Sequence, residues 1–235
     1  MNDKMKKALV VLVGGFLAVA AFLYVMANGF AAPAPVSHAH VTPPKQISWS
    51  FSGPFGVVDK SSAQRGYQVY KEVCASCHAM NKVAFRDLAG IGFSEAEIKE
   101  IAKEYKYADL DDSGEAIERD GKANDKFKSP FANDKAAAAA NGGAVPPDLS
   151  LMVKARPNGA NYVYSLLTGY GHNPEHGIEV PEGKYYNPYF AGGIIAMPKP
   201  LSADQVTYQD GTKASVEQMS KDLVSFLQYA AEPEM

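Results

Sequence analysis

The pentapeptide Cys74-Ala75-Ser76-Cys77-His78 constrains this chain more than any other feature, and it contains both cysteines of the 235 residues. Cys-x-x-Cys-His is the attachment site of a c-type haem. Two thiols one helical turn apart can form thioethers with the two haem vinyl groups, and the adjacent imidazole can ligate the iron. Both thiols are then consumed, so neither a free thiol nor a disulfide remains. The motif therefore predicts one covalent haem c, held by Cys74, Cys77 and His78.

Two other chemistries use a Cys-x-x-Cys pair. A thioredoxin-like redox pair lies in a βαβ context and needs no histidine after it. A structural zinc site needs a second pair of ligands, which this chain lacks. Because an export pattern begins the chain, covalent haem is favoured over both.

That export pattern occupies the first 31 residues. Lysines within residues 4–7 precede an apolar run, residues 8–27, that contains no charged residue, and such a basic flank stays in the cytoplasm. Residues 29–31 form a small-x-small sequence that a signal peptidase can cut. The run is long enough to span roughly 30 Å as a helix, whereas a signal core has about 7–15 residues. Residues 1–31 are therefore a signal peptide or an N-terminal membrane anchor, followed by a Pro-rich tether, 32–46, and an exported domain, 47–235.

Two segments of that domain have the apolar spacing of amphipathic helices. The first is capped near Asp59 and leads into the Cys-x-x-Cys-His motif, and the second runs from Ser215 to about Ala230. Small haem-c folds cross an N-terminal and a C-terminal helix, with a glycine at the crossing. We expect Gly66 to lie at that crossing, against residues 226–230.

The sixth iron ligand decides the chemistry, because a protein side chain there favours electron transfer and an open position admits gas or peroxide. Met197 lies in a segment, 190–200, that is interrupted by Gly and Pro and holds no regular helix. A thioether presented by such a loop is typical of His/Met ligation. Spacing leaves an open position, His172 and His176 as alternatives. Three other methionines are less suitable, because Met152 and Met219 fit the core and Met80 lies too close to His78.

Several motifs in order along the chain resemble cytochrome c1, the haem-c subunit of the quinol–cytochrome c reductase (cytochrome bc1 complex). They are residues 65–70, 146–150, 154–156, 162–170, 187–190 and 195–198. The likeness runs from about Phe51 to Met235. It implies a mainly α fold, a class I-like cytochrome c domain with long insertions, plus one N-terminal hydrophobic helix.

The resemblance also implies residue roles. His78 and Met197 become the axial ligands, and Arg156 binds a haem propionate, where a guanidinium can make two parallel hydrogen bonds. The alternative for Arg156 is a solvated cation at a helix end. Other pocket residues implied are Tyr162, Asn141 and Pro147, of which the last packs against His78 or begins a short helix that contains Leu149 and Val153.

The function implied is that of a single-electron carrier, not an enzyme by itself, in a respiratory or photosynthetic quinol–cytochrome c reductase. It would take electrons from a Rieske iron–sulfur protein and pass them to cytochrome c, beside a cytochrome b subunit in a bacterial inner membrane, with the haem domain on the periplasmic side. The family continues past a sequence such as residues 231–235 into a C-terminal transmembrane helix, so truncation and anchoring by residues 8–27 are both open. Two other functions are open: a membrane-tethered haem sensor or peroxidase-like protein with an open sixth position, and a tethered electron shuttle outside any complex.

Charge gives further expectations. The net charge of −3 argues against nucleic acid as a partner. An acidic run, residues 109–120, does not match the calcium-binding EF-hand loop. It is predicted to be a solvated acidic loop, or a docking surface for a basic partner such as cytochrome c. Its docking residues would be Asp109, Asp111, Asp112, Glu115 and Glu118.

Overall fold

The computed structural model describes residues 42–174 and 178–234, together with residues 2–5, 15, 16, 18–20, 22 and 23. Residues 1–39 and 40–235 form two compact units. Among the described residues, no helix has the length and apolarity needed to cross a bilayer. Most of the predicted N-terminal hydrophobic helix, residues 8–27, lies outside the described residues.

The haem-motif domain is mainly helical, as predicted. Its α-helices are α1 (Lys60–Glu72), α2 (Glu95–Lys103), α3 (Asp134–Ala140), α4 (Gly159–Leu167) and α5 (Val216–Ala231). Two 3-10 segments, Cys74–Ser76 and Phe85–Ile91, lie between α1 and α2. The strands form two separate antiparallel hairpins, β1 (Lys106–Leu110) with β2 (Ala116–Asp120), and β3 (Tyr185–Tyr186) with β4 (Ile194–Ile195).

Helices α1 and α5 cross at Gly66. A Cβ atom placed there would lie 2.0 Å from the Asp222 carbonyl oxygen and 2.8 Å from the Phe226 Cβ atom, so a side chain at this position is sterically excluded. The predicted crossing is therefore present, about one turn earlier in α5 than the centre of the expected segment. Each helix begins as predicted, because Asp59 accepts a hydrogen bond from the Ser62 amide and Ser215 caps α5.

A buried ion pair joins the two helices beside Gly66. The fully buried Asp222 carboxylate accepts two hydrogen bonds from Arg65, at 3.0 and 2.9 Å, and one from the Ser62 hydroxyl at 2.7 Å. Gln218 donates a further bond at 3.0 Å. Because every carboxylate oxygen has a donor, the charge is compensated inside the crossing. The pair therefore fixes how α1 is rotated against α5.

Aromatic rings fill the space beneath α1. Tyr70 packs edge-on against Phe127 at 5.8 Å between ring centroids, and Phe85 lies 4.6 Å from Phe127. Phe226 of α5 contacts both Tyr67 and Tyr70. These rings hold the 3-10 segment Phe85–Ile91 against the α1–α5 pair, so that the haem motif follows α1 on a rigid base.

The acidic run is solvated, as its composition suggested, but it forms a β-hairpin and not an irregular loop. Asp111 accepts hydrogen bonds from the amides of Ser113 and Glu115, both at 2.9 Å, and so closes the turn between the strands. Across the strands, Lys106 pairs with Asp120. The charges that looked unpaired in the sequence thus help to define the strand register.

The chain that leads into the domain runs along α4. The Lys45 amide donates to the Ser165 hydroxyl at 2.8 Å, and its ammonium group donates to the Thr168 hydroxyl at 2.8 Å. The Ile47 amide and the Trp49 indole N–H both donate to Asn161 Oδ1. The last residues of the predicted 32–46 tether therefore contact the domain, while the division into 1–31, 32–46 and 47–235 stays a prediction.

Candidate haem-attachment site

The Cys-x-x-Cys-His motif forms a tight turn directly after α1. The amides of Cys77 and His78 both donate to the Cys74 carbonyl oxygen, at 3.1 and 2.9 Å. Both thiols are free and partly buried. Burial, with Cys77 nearby, raises the pKa of the Cys74 thiol to about 12. The two sulfur atoms are thus carried on one turn, as double attachment of a haem requires.

His78 is held by its inner ring nitrogen. Its Nδ1 atom lies 2.8 Å from the Pro147 carbonyl oxygen. A carbonyl oxygen can only accept, so Nδ1 carries the proton and Nε2 keeps its lone pair. Burial lowers the pKa of His78, which favours the neutral imidazole. This tautomer is the one that can ligate a metal through Nε2.

Residues 147–150, which we call the histidine clip, extend this contact along the chain after the motif. The Leu149 amide donates to the Ala79 carbonyl oxygen at 2.8 Å. Asp148 and Ser150 accept from the amides of Asn81 and Lys82, at 2.8 and 3.0 Å. The clip therefore fixes the main chain of the residues that follow His78.

The short helix expected over Leu149 and Val153 is absent from this described stretch, which forms turns instead. The reason lies in the clip, because the side chains of Asp148 and Ser150 accept hydrogen bonds from the residues after the haem motif. Pro147 therefore contacts His78 and does not begin a helix.

Met197 is presented by the second hairpin. It follows β4 by two residues and is partly buried. The Tyr170 hydroxyl donates to its carbonyl oxygen at 2.9 Å. At the base of the hairpin, the fully buried Asn187 donates from Nδ2 to the Leu166 carbonyl at 2.8 Å, and its own amide donates to Gly193. The Met197 segment is therefore tied to the end of α4 at two points.

Arg156 and Tyr162 lie together. Burial raises the pKa of Tyr162, and the nearby charge of Arg156 opposes that rise. Burial also raises the pKa of Tyr170, whose electrostatic neighbours are Tyr162 and Tyr185. The exposed Arg156 guanidinium is therefore part of a polar cluster that reaches the Met197 segment.

The remaining predicted residues are placed apart from that cluster. Asn141 caps the end of α3, where its Nδ2 atom donates to the Ala137 carbonyl at 2.8 Å. Within the described residues no hydrogen bond joins it to Arg156 or Tyr162.

The alternative iron ligands have other surroundings. Met80 and Met219 are fully buried and Met152 packs against the core, whereas His172 is exposed and His176 lies outside the described residues.

The predicted docking acids differ in their pairing. Asp109 forms an ion pair with Arg119, which lowers the pKa of the carboxyl group. Asp111 closes the hairpin turn. The other acids, Asp112, Glu115 and Glu118, make no ion pair in the described part of the chain. Glu118 lies near the charge of Lys106. The free negative charge is thus concentrated at the turn.

The donor groups of this site fit a covalent haem. They are two thiols on one turn, an imidazole whose Nε2 is free, and a thioether on a separate anchored loop. Among the residues described, no group of three or more His, Cys, Asp or Glu side chains could hold a metal ion. Tyr170 and Asn187 lie in motifs that carry the family resemblance, but their anchoring of the thioether loop was not predicted, since hydrogen bonds to main-chain carbonyls leave no periodic or spacing signal.

Comparison with known proteins agrees with this geometry. The family model described as "Cytochrome C1 family" matches residues 49–235. Cytochrome c1 of Rhodospirillum rubrum is 52% identical, over 80% of this chain and 75% of that protein. The mitochondrial cytochrome c1 heme protein of Saccharomyces cerevisiae is 47% identical, over 88% and 68%. The mitochondrial cytochrome b-c1 complex catalytic subunit of Candida albicans is 43% identical, over 100% and 82%. The chain therefore belongs to the cytochrome c1 family.

Proposed function

We propose that this chain is the haem c-carrying electron-transfer subunit of a cytochrome bc1 complex and not an enzyme by itself. One observation carries the proposal: the Cys-x-x-Cys-His turn ends on an imidazole whose Nδ1 proton is bound by Pro147, so that Nε2 is oriented as a ligand. Membership of the cytochrome c1 family supports the assignment to a bc1 complex.

His78 and Met197 would ligate the haem iron, and Cys74 and Cys77 would form the thioether bonds to the haem. A bound haem supplies one-electron chemistry at its iron. The protein sets the conditions for that chemistry, because the histidine clip orients the imidazole and the anchored hairpin presents the thioether. A thioether ligand raises the reduction potential. Two ligands on rigid segments also limit rearrangement when the oxidation state changes.

Arg156 and Tyr162 are the proposed partners of a haem propionate. Arg156 is exposed, and its side chain donates to the neighbouring Ala155 carbonyl at 3.0 Å and hydrogen-bonds with Tyr162. Its guanidinium therefore keeps donors for a carboxylate. Asn141 stays a proposed pocket residue through its amide oxygen, since its amide nitrogen already caps α3.

The proposed electron donor is a Rieske iron–sulfur protein and the proposed acceptor is cytochrome c, with a cytochrome b subunit as neighbour. The haem domain would lie on the periplasmic side of a bacterial inner membrane. Docking of cytochrome c is assigned to the hairpin turn, where Asp112 and Glu115 are unpaired among the described residues, with Glu118 beside them. Such charge acts over about a Debye length, roughly 8 Å at physiological salt, so it accelerates encounter and does not supply the contact itself.

Purification of the chain from its native membrane in mild detergent tests the complex. The preparation is expected to contain haem b and a Rieske-type iron–sulfur signal in constant ratio to haem c, and to reduce cytochrome c with a quinol. A chain that purifies with haem c alone would contradict membership of a complex and would favour a free tethered shuttle.

A further inference from the structure

The hydrogen bond between Tyr170 and Met197 ties the thioether hairpin to the end of α4, and it can therefore act on how firmly the sulfur is held. The Tyr170 hydroxyl donates to the Met197 carbonyl oxygen at 2.9 Å. Within the described residues it is the only hydrogen bond that Met197 makes to another segment. We propose that Tyr170 is a positioning residue, which holds the Met197 main chain so that its sulfur stays on the iron. The inference rests on the proposed function, because it takes Met197 as the sixth ligand.

The main chain at Met197 offers few other means of fixation. The paired strand β4 ends at Ile195, so the ladder no longer holds the chain at position 197. Pro198 follows and has no N–H to donate, although its ring restricts the Met197 backbone to extended conformations. A neighbour can still hold this main chain by a hydrogen bond to the Met197 carbonyl oxygen, and Tyr170 donates that bond.

Tyr170 itself stands on a rigid base. A Cβ atom on the preceding Gly169 would lie 2.6 Å from the Tyr189 ring and 2.8 Å from the Ser165 carbonyl oxygen, so the main chain before Tyr170 is tightly packed. Asn187 donates to the last turn of α4 and so holds the base of the hairpin against the same helix. Both partners of the Tyr170–Met197 bond are thus fixed to α4.

A neutral thioether is a weak ligand, and its attachment depends on how well the loop is pre-organised. Removing one hydrogen bond that the loop makes only when it is seated should raise the detached fraction of Met197 about fivefold, which corresponds to about 1 kcal/mol. An added ligand binds only the detached state, so its apparent affinity rises by the same factor.

The test uses the holoprotein and imidazole as the added ligand. Tyr170→Phe, which deletes only the hydroxyl, is expected to bind imidazole to the oxidised haem about fivefold more tightly than the parent protein. Tyr164→Phe is the matched control, because Tyr164 lies in α4 and its hydroxyl makes no hydrogen bond among the described residues. It is expected to bind imidazole as the parent does, even if both variants lose the same stability to denaturant.

Met197→Leu separates the two claims. If Met197 is the ligand, this variant loses the near-infrared sulfur-to-iron band and binds imidazole far more tightly than Tyr170→Phe. Should Met197→Leu behave in this way while Tyr170→Phe matches the parent or the control, the role of Tyr170 is refuted and the ligand stands. Should Met197→Leu keep the band and the parent affinity, the ligand assignment fails and the inference fails with it.

Discussion

Replacing Gly66 with alanine tests the helix crossing on which the haem motif is built. The added methyl group would lie 2.0 Å from the Asp222 carbonyl oxygen and 2.5 Å from its carbon, whereas non-bonded carbon atoms favour separations of about 3.5–4.0 Å. The two atoms closest to it belong to the main chain of α5, so no change of side-chain rotamer relieves the overlap. The two helices must move apart by more than an ångström.

Two opposing effects set the size of the loss. Alanine is the better helix former by about 1 kcal/mol. Overpacking of a buried contact costs about 1–3 kcal/mol, and separation of the helices also stretches the Arg65–Asp222 pair, whose loss as a buried pair costs about 3–5 kcal/mol. Steric overlap therefore outweighs propensity, and we expect Gly66→Ala to lower the free energy of unfolding by at least about 2 kcal/mol.

Guanidinium denaturation of the holoprotein, followed by far-ultraviolet circular dichroism, measures this loss. Ser61→Ala is the control, because Ser61 is an exposed residue of α1 and its replacement should change stability by less than about 0.5 kcal/mol. A Gly66→Ala protein as stable as the parent, or more stable, would refute the close approach of the two helices.

Three further predictions concern charge, the thioether hairpin and the propionate. Asp112→Asn with Glu115→Gln should slow electron delivery to cytochrome c at low salt more than Asp109→Asn does, because Asp109 is already paired; equal effects in stopped-flow assays would contradict docking at the turn. Asn187→Ala should destabilise the holoprotein by about 2–4 kcal/mol in denaturant melts, since it leaves buried main-chain groups without partners. Arg156→Leu should lower the reduction potential by about 40 mV, the equivalent of about 1 kcal/mol for one electron, and an unchanged potential in a redox titration would remove Arg156 from the propionate.

The parts of the fold that were predictable from the sequence are those with a local signal. The caps at Asp59 and Ser215 and the apolar stripes of α1 and α5 follow from short-range preferences. Gly66 stood out because it lies on the buried face of the first helix, where a small residue permits close packing. The haem motif is read from five adjacent residues and needed no tertiary information.

The parts that were missed depend on pairing between distant segments. The 106–120 hairpin was hidden because its strands are exposed on both faces and mix polar with apolar residues, so that no regular alternation marked them. The histidine clip replaced an expected helix because Asp148 and Ser150 bind residues some seventy positions earlier. Spacing could nominate Met197 as a ligand, but its anchoring by Tyr170 required the three-dimensional arrangement of α4 and the second hairpin.

The central claim is that an imidazole and a thioether occupy both axial positions of the iron. Near-infrared absorption of the oxidised holoprotein, with carbon monoxide binding to the reduced form, tests it most directly. The protein is expected to show the sulfur-to-iron band, to lose it in Met197→Leu, and to bind carbon monoxide readily only in that variant. A parent protein that lacks the band and takes up carbon monoxide would contradict the claim and identify an open haem.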